Sequence, residues 1–223
     1  EKVQIAGKDM VKFQSVMWQG MLLSAGMPTT NTIIYDGFIT GEGGIRMSKS
    51  LGNVINPVDI VSEYGTDALR YFFLREISSF EDSPFTIERF KKAYNANLAN
   101  GLGNLASRIL TLSEKYLNKC PEIPEKSDLS DYFSFFEKFD IKQAADYIWK
   151  EVGELDKFIQ ETEPFKVVKV DKNKGKELIS NIVLRLYTVA RMLNPIMPKT
   201  NVLLKKLIKE NKKPEHPLFP RKD

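Results

Sequence analysis

Apolar side chains recur at steps of three and four from Phe90 through Tyr94, Leu98, Leu102, Leu105, Ile109 and Leu112 to Tyr116. Only a helix gathers residues with that spacing onto one side. The stretch therefore predicts a long helix with one continuous apolar face, and such a face needs other helices to cover it. Ala144, Ile148, Val152, Leu155 and Ile159 mark a second helix, stopped by Glu163-Pro164. Leu178, Ile182, Leu186, Val189 and Leu193 mark a third, stopped by Asn194-Pro195, and a shorter one runs from Pro198 to about Ile208. Gly101 and Gly103 lie inside the first helix. In an open helix each costs about 1 kcal/mol against alanine, so close packing against a neighbour is the expected compensation.

The residues before Pro84 follow another pattern. Val3 to Ala6 reads as a strand ended by Gly7, and a helix follows to about Ser24, with Asp9 available as its cap and Gly26-Met27-Pro28 as its stop. Thr32 to Thr40, rich in β-branched and aromatic residues, reads as a second strand. Asn56-Pro57 opens a helix that ends near Tyr64-Gly65, and Thr66 or Asp67 opens another. The fold class expected is α/β followed by all-α: residues 1–84 the end of an α/β domain, residues 85–223 an antiparallel helix bundle.

Bulk properties narrow the setting. The 223 residues suit one large domain or two small ones, and a net charge of +4 permits a polyanionic partner without requiring one. Cys120 is the sole cysteine, so the chain forms no internal disulfide and no cysteine-based zinc site; a reducing, cytoplasmic location is expected. No run is long and apolar enough to span a bilayer, and no secretory signal is visible. The chain starts at Glu1 and enters a strand at once, which suggests a fragment from inside a longer protein.

Between the second strand and Pro57 lies Gly41-Glu42-Gly43-Gly44, followed by Arg46-Met47-Ser48-Lys49-Ser50-Leu51-Gly52-Asn53-Val54-Ile55-Asn56-Pro57. Lysine is a flexible point charge that suits a phosphate whose position changes during reaction. The flanking hydroxyls add donors, and the preceding glycines let the loop swing. Groups of this kind help most by meeting charge that develops at a phosphoryl centre.

This stretch resembles the Lys-Met-Ser-Lys-Ser signature of the class I aminoacyl-tRNA synthetases. Tyr64-Gly65-Thr66-Asp67-Ala68-Leu69-Arg70-Tyr71 is similar to that family as well. Gly7-Lys8-Asp9 before a helix bearing Trp18, Asn104-Leu105-Ala106-Ser107-Arg108, and Pro217-Leu218-Phe219-Pro220-Arg221 resemble its methionyl branch. The matched segments stand in the right order and span nearly the whole chain.

The resemblance implies a Rossmann-like nucleotide domain, ATP with Mg2+ and methionine as substrates, tRNA(Met) as partner, and no metal held by this chain. It implies that Lys49 stabilises the phosphates of ATP during adenylate formation, with Ser48 and Ser50 in support, Met47 seating the loop, and Arg46 standing where lysine is usual. Gly7 and Asp9 would sit at the adenosine ribose, where a carboxylate can accept two hydroxyls; a helix cap is the other role open to Asp9. Ile39 would lie along the adenine by its backbone. Trp18 and Gln14 would line the amino-acid pocket, where an indole beside a thioether contributes about 0.3–1.5 kcal/mol. Core packing is the alternative for Trp18, and Gln14 departs from the histidine common at that position.

For the bundle the resemblance implies anticodon binding. Asn104 and Arg108, four apart, share a helix face and would pair with splayed bases. Pro164-Phe165 stands where the family places proline and tryptophan, so Phe165 would stack on a base or else serve as a buried anchor. Asn97 and Asn100 extend the polar stripe and are expected to bond a neighbouring helix. Lys166, Lys169, Lys172, Lys174 and Lys176 suit phosphate contacts. Lys205, Lys206, Lys209, Lys212 and Lys213 read as a solvated face, or as a guide for the tRNA backbone. The family's His-Ile-Gly-His motif is not in the chain, whose only histidine is His216; a missing N-terminal half of the catalytic domain is implied. Three other readings stay open: a leucine, isoleucine, valine or cysteine enzyme, a non-catalytic tRNA-binding module, and a structural helix bundle.

Overall fold

Val3 and Ile5 begin a parallel two-stranded sheet. Strand β1 (Val3–Gly7) pairs with β2 (Thr32–Asp36), in a register that runs from Val3 opposite Thr32 to Gly7 opposite Asp36. The computed structural model describes residues 2–48, 50, 52–125 and 128–222. Parallel strands need a crossover. Here it is helical, from residue 8 through wide turns at Lys12–Met17 to helix α1 (Trp18–Ser24), and it stops at Gly26, whose φ is +68°. Gln19 ties the crossover to the strand region: its side chain donates to the Gln14 carbonyl at 2.9 Å and accepts from the Thr30 amide at 2.9 Å.

The second strand is shorter than its composition suggests. It breaks at Gly37-Phe38 and resumes as β3 (Ile39–Thr40), which pairs in parallel with β4 (Ser83–Pro84). A side chain at Gly37 would meet the Glu81 carbonyl at 2.2 Å, and the Gly37 amide donates to Ser79 at 3.0 Å. The close approach of residues 79–84 thus takes the chain away from β1 and gives it a new neighbour.

The chain divides into two compact units. Residues 1–55 and 77–86 form the first; residues 56–76 and 87–223 form the second. Helix α2 (Pro57–Tyr64), capped by Asn56, and α3 (Thr66–Tyr71) therefore pack with the helical unit.

In that unit the long helix is continuous from residue 87 to residue 116. It has three parts: α4 (Ile87–Ala93), turns widened to i→i+5 hydrogen bonds over Tyr94–Gly103, and α5 (Asn104–Tyr116). A side chain at Gly103 would stand 2.8 Å from the Leu98 carbonyl of its own helix and 3.4 Å from Phe219 of the C-terminal tail, the packing that its glycine was expected to serve. One at Gly101 would meet the Ala96 carbonyl of its own helix at 3.3 Å and no neighbouring element among the described residues. Among the described residues, neither Asn97 nor Asn100 bonds a neighbouring helix through its side chain as expected. Asn97 offers its main-chain carbonyl to the Trp149 indole at 3.4 Å, and Asn100 is exposed. Asn95 is the asparagine that makes a tertiary tie, accepting from the Lys222 amide at 3.0 Å.

The remaining helices are α6 (Ser130–Glu137), α7 (Ile141–Thr162), α8 (Pro164–Val170), α9 (Lys172–Met192) and α10 (Pro198–Glu210). Helices α6 and α8 are additions to the sequence reading. Leu98, Leu102, Ile109, Ile148, Leu155, Ile159, Ile182 and Leu186 are fully buried together, each worth about 1.5–3 kcal/mol relative to exposure. Helix α8 lies so close to α9 that a side chain at Gly175 would meet Val168 Cα at 2.2 Å. Helix α10 lacks a cap of its own. Asp67 of α3 supplies it, accepting from the Thr200 amide at 2.6 Å and its hydroxyl at 2.7 Å, while Arg70 donates to the Ile196 and Pro195 carbonyls at 2.8 and 2.7 Å. Among the described residues no helix is long and apolar enough to cross a membrane.

Candidate functional sites

In the first unit the carboxyl ends of β1 and β2 bring Gly7 beside Asp36, and open parallel sheets bind ligands at such ends. Asp9 lies in the first helical turn rather than at its cap, which falls on Gly7. Its carboxylate folds back over Gly7, where an added Cβ would stand 2.8 Å from Asp9 Oδ1. Glycine thus leaves room for a free carboxylate above the strand end. Lys8 is held by an ion pair with Asp82 and lies over the Phe38 ring, 4.6 Å from its centroid. Arg46 approaches the same ring at 5.6 Å. The two cations meet around one aromatic, so the strand end and the signature loop come together at Phe38. Hydrogen bonds from Lys8 and from the Phe38 amide (2.8 Å) hold the Asp82 carboxyl below its ordinary range.

The loop turns on Gly43 and Gly44, with φ of +65° and +77°, and returns so that Arg46 bridges Thr40 and the Gly41 amide donates to Ile45 at 2.7 Å. The bonds across β3 and β4 use the Phe38 and Thr40 carbonyls. Alternate residues of a strand point their main-chain groups to opposite edges, so the Ile39 amide and carbonyl face the edge where the loop returns. Met47 is half-buried, with Cγ 4.0 Å from the Cβ position of Gly41. Ser48 and Ser50 hydroxyls lie 3.1 Å apart. Lys49 lies outside the described residues.

Sequence reasoning gave no role to Asn53, Lys8 or Asp82. The Asn53 side chain accepts from the Ser48 amide at 2.8 Å and donates to the Arg46 carbonyl at 3.2 Å, clamping the loop on both sides of Met47. Asn53 stands inside the motif, and an amide with both a donor and an acceptor was the available signal. Asp82 is distant in sequence and carried none.

Trp18 is 40% exposed, so it is not part of a core within this chain. Gln14 precedes it by four residues and is half-buried. Cations, amides and hydroxyls around Phe38 and the loop fit a polyphosphate. They do not make a metal site: among the described residues no cluster of three or more histidines, cysteines or carboxylates could hold a metal ion.

In the second unit Arg108 and Phe165 line one groove of about 480 Å³, together with Ser107, Thr111, Leu112 and Ile159. Asn104 lies one turn earlier on α5, exposed and outside that lining. Arg108 pairs with Asp156 at 2.7 Å, and Asp156 is steadied by Gln160 at 2.6 Å. Phe165 is 36% exposed, while Pro164 beside it is buried. The anchor role therefore falls to the proline, and the ring is presented to the groove. Glu163, just before them, takes a left-handed conformation (φ +42°) that is rare for a side-chain-bearing residue. It turns the chain from α7 into α8 and so aims Phe165.

Comparison with known proteins gives a consistent picture. Residues 1–110 match the family model described as tRNA synthetases class I (M). The methionine--tRNA ligase of Fusobacterium nucleatum is 37% identical over 213 residues, which are 89% of this chain and 33% of that protein. The methionine--tRNA ligase of Caldanaerobacter subterraneus is 33% identical over 218 residues, again 89% and 33%. Among solved structures, Mycobacterium tuberculosis methionyl-tRNA synthetase in complex with methionyl-adenylate superposes with a TM-score of 0.85 at 25% identity. The match covers 99% of this chain and 50% of that one. The chain thus spans about a third of the length of these curated relatives.

Proposed function

We propose, from the premise that residues 1–110 belong to the class I tRNA synthetases of the methionyl type, that this chain is part of a methionine--tRNA ligase. The parent activates methionine with ATP and transfers it to tRNA(Met) in the cytoplasm, a setting that the single thiol Cys120 suits. Residues 1–84 supply the end of its Rossmann-like domain, and residues 85–223 its anticodon-binding bundle. The observation that carries this reading is the meeting of the strand end with the signature loop at Phe38, where Lys8 and Arg46 converge.

In this reading Asp9 accepts the ribose hydroxyls over Gly7, and the Ile39 backbone lies along the adenine. Met47 and Asn53 seat the loop, and Arg46, Ser48 and Ser50 support Lys49 as it meets the phosphates. Gln14 and Trp18 form part of the methionine pocket. In the bundle Phe165, set by Pro164, stacks on an anticodon base, while Arg108 and Asn104 bond base edges. Mg2+ would supply charge neutralisation to ATP when bound.

The first unit also leaves apolar side chains bare: Ile5 of β1 is 67% exposed, and Phe13, Val16, Met21 and Leu23 of the crossover are exposed. A parallel sheet is normally covered on both faces. The sheet face that bears Ile5 is the seat of the missing N-terminal half, and the fragment alone forms no aminoacyl-adenylate at a useful rate.

The test is ATP–pyrophosphate exchange by the full-length parent against a panel of amino acids. Methionine should be the amino acid that supports exchange, and Lys49→Ala should cut the rate about 100-fold. Exchange with leucine, isoleucine, valine or cysteine in its place would reassign the enzyme. A loss under threefold would remove the role given to Lys49.

A further inference from the structure

The chain's positive charge is unevenly placed. Residues 199–223 hold eight lysines and arginines against three acids, a surplus of five, although the whole chain has a net charge of only +4. The rest of the molecule is therefore close to neutral, and the charge lies on α10 and the tail after it.

The structure fixes these charges in place. The buried face of α10, with Leu204 and Ile208, packs on the bundle and leaves Lys206 and Lys209 exposed, with Lys205 half-exposed beside them. Helix α10 ends at Asn211, whose side chain accepts from Ser113 and donates to the Leu117 carbonyl at 2.8 Å. The tail is held too: Phe219 is buried, Tyr94 donates to the Pro220 carbonyl at 2.9 Å, and Asn95 binds Lys222. Two furrows of about 510 Å³ each flank α10. Lys205, Lys206 and Lys209 line one; Lys206, Lys212, Lys213 and His216 line the other. Glu210 is the acid common to both. Lys213 has a carboxylate partner, Glu114 at 3.6 Å. Among the described residues Lys205, Lys206, Lys209 and Lys212 have no ion-pair partner.

The makeup of this surface identifies its ligand. Its exposed apolar residues are aliphatic, Val202 and Leu203; the His216 imidazole lines one furrow, and no exposed Phe, Tyr or Trp stands among the described lysines. A surface dominated by lysine point charges binds phosphates and does not read sequence. We infer that α10 and the tail form a second RNA-binding surface, distinct from the groove of Arg108 and Phe165, which grips the sugar-phosphate backbone of the tRNA whatever its sequence. This rests on the reading of the full-length protein as a tRNA ligase.

The experiment measures tRNA binding by this 223-residue chain across salt concentrations. It compares the unaltered chain with K205Q/K206Q/K209Q/K212Q, the same four changed to arginine, and F165A. These lysines are exposed or half-exposed and have no carboxylate partner among the described residues, and Lys205 lies 6.0 Å over the Tyr187 ring centroid, so the glutamine variant should melt close to the unaltered chain. On a duplex, each phosphate neutralised by a lysine contributes about 0.9 to the slope of log K against log salt. The glutamine variant should therefore show a slope smaller by roughly two to four and bind at least tenfold more weakly at about 0.1 M salt. The arginine variant should keep the slope, and F165A should weaken binding with the slope unchanged. An unaltered slope in the glutamine variant, while F165A still weakens binding, overturns the surface and leaves the ligase reading standing. No tRNA binding by the unaltered chain overturns both. Binding to anionic lipid vesicles that matches or exceeds binding to tRNA assigns the lysines to a membrane and overturns the proposal.

Discussion

At the scale of single residues, two carboxylates do unlike work. Asp67 is buried and accepts two hydrogen bonds from Thr200. Removing it strands an amide and a hydroxyl in the interior, each costing about 1–3 kcal/mol. Asp67→Ala should therefore lower unfolding free energy by about 2–4 kcal/mol in urea titrations, and Thr200→Val should cost less because the amide bond survives. Asp82, in contrast, is exposed and acts through charge. Its carboxyl is held below the ordinary value of 3.8 by the Lys8 bond first and the Phe38 amide second. A depressed folded value means that the contribution is present above 3.8 and is lost as pH falls through the lower, folded value. The Phe38 amide should report a titration midpoint below 3.8 by NMR, and Lys8→Met should move that midpoint upward. A midpoint indifferent to Lys8 would show that the ion pair does not hold the segment.

At the scale of elements, packing distance decides what is tolerated. Alanine at Gly175 would drive its methyl into the Val168 backbone, at 2.2 Å from Cα, so α8 must part from α9. Overpacking of this kind costs about 1–3 kcal/mol or more, which thermal melts would register. Gly153→Ala, on α7 with nothing within 4 Å, should be neutral or gain up to about 1 kcal/mol in the same melts. The long helix shows how far sequence can be read. Its apolar residues advance by four from Phe90 to Leu102 and then by three and four to Tyr116. Steps of four overrun a 3.6-residue turn by about 40° each, and the widened turns at Tyr94–Gly103 absorb that drift. Helix existence, the stops at prolines and the Asn56 cap were all legible. Helix α6 was not, because its ring-bearing residues crowd at successive positions and hide the period. Nor was the break at Gly37, whose cause lies at Glu81. The candidate sites divide in the same way: residues within a motif were readable, while Asp156 behind Arg108 and Asp82 behind Lys8 act from other elements and leave no local mark.

At the scale of the whole chain, the exposed face of the first unit has a measurable consequence. Ile5→Asp should change the melting of this chain by no more than about 0.5 kcal/mol, as for other exposed positions. The same change in the full-length parent should impair adenylate formation at least tenfold if the proposed N-terminal half covers the position there. Equal tolerance in both settings would mean that this face has no partner. The chain's route between the units sets its order of assembly as well. Residues 56–76 join a unit otherwise made of residues 87–223, and Asp67 finds its partner 133 positions later. At ordinary speeds of translation, about 5–20 residues per second, α3 leaves the ribosome roughly 7 to 27 seconds before the helix that it caps. During that interval a nascent Asp67 has only water to bond. The bundle therefore closes only once Thr200 has been made, and a chain halted before it leaves Asp67 without this partner.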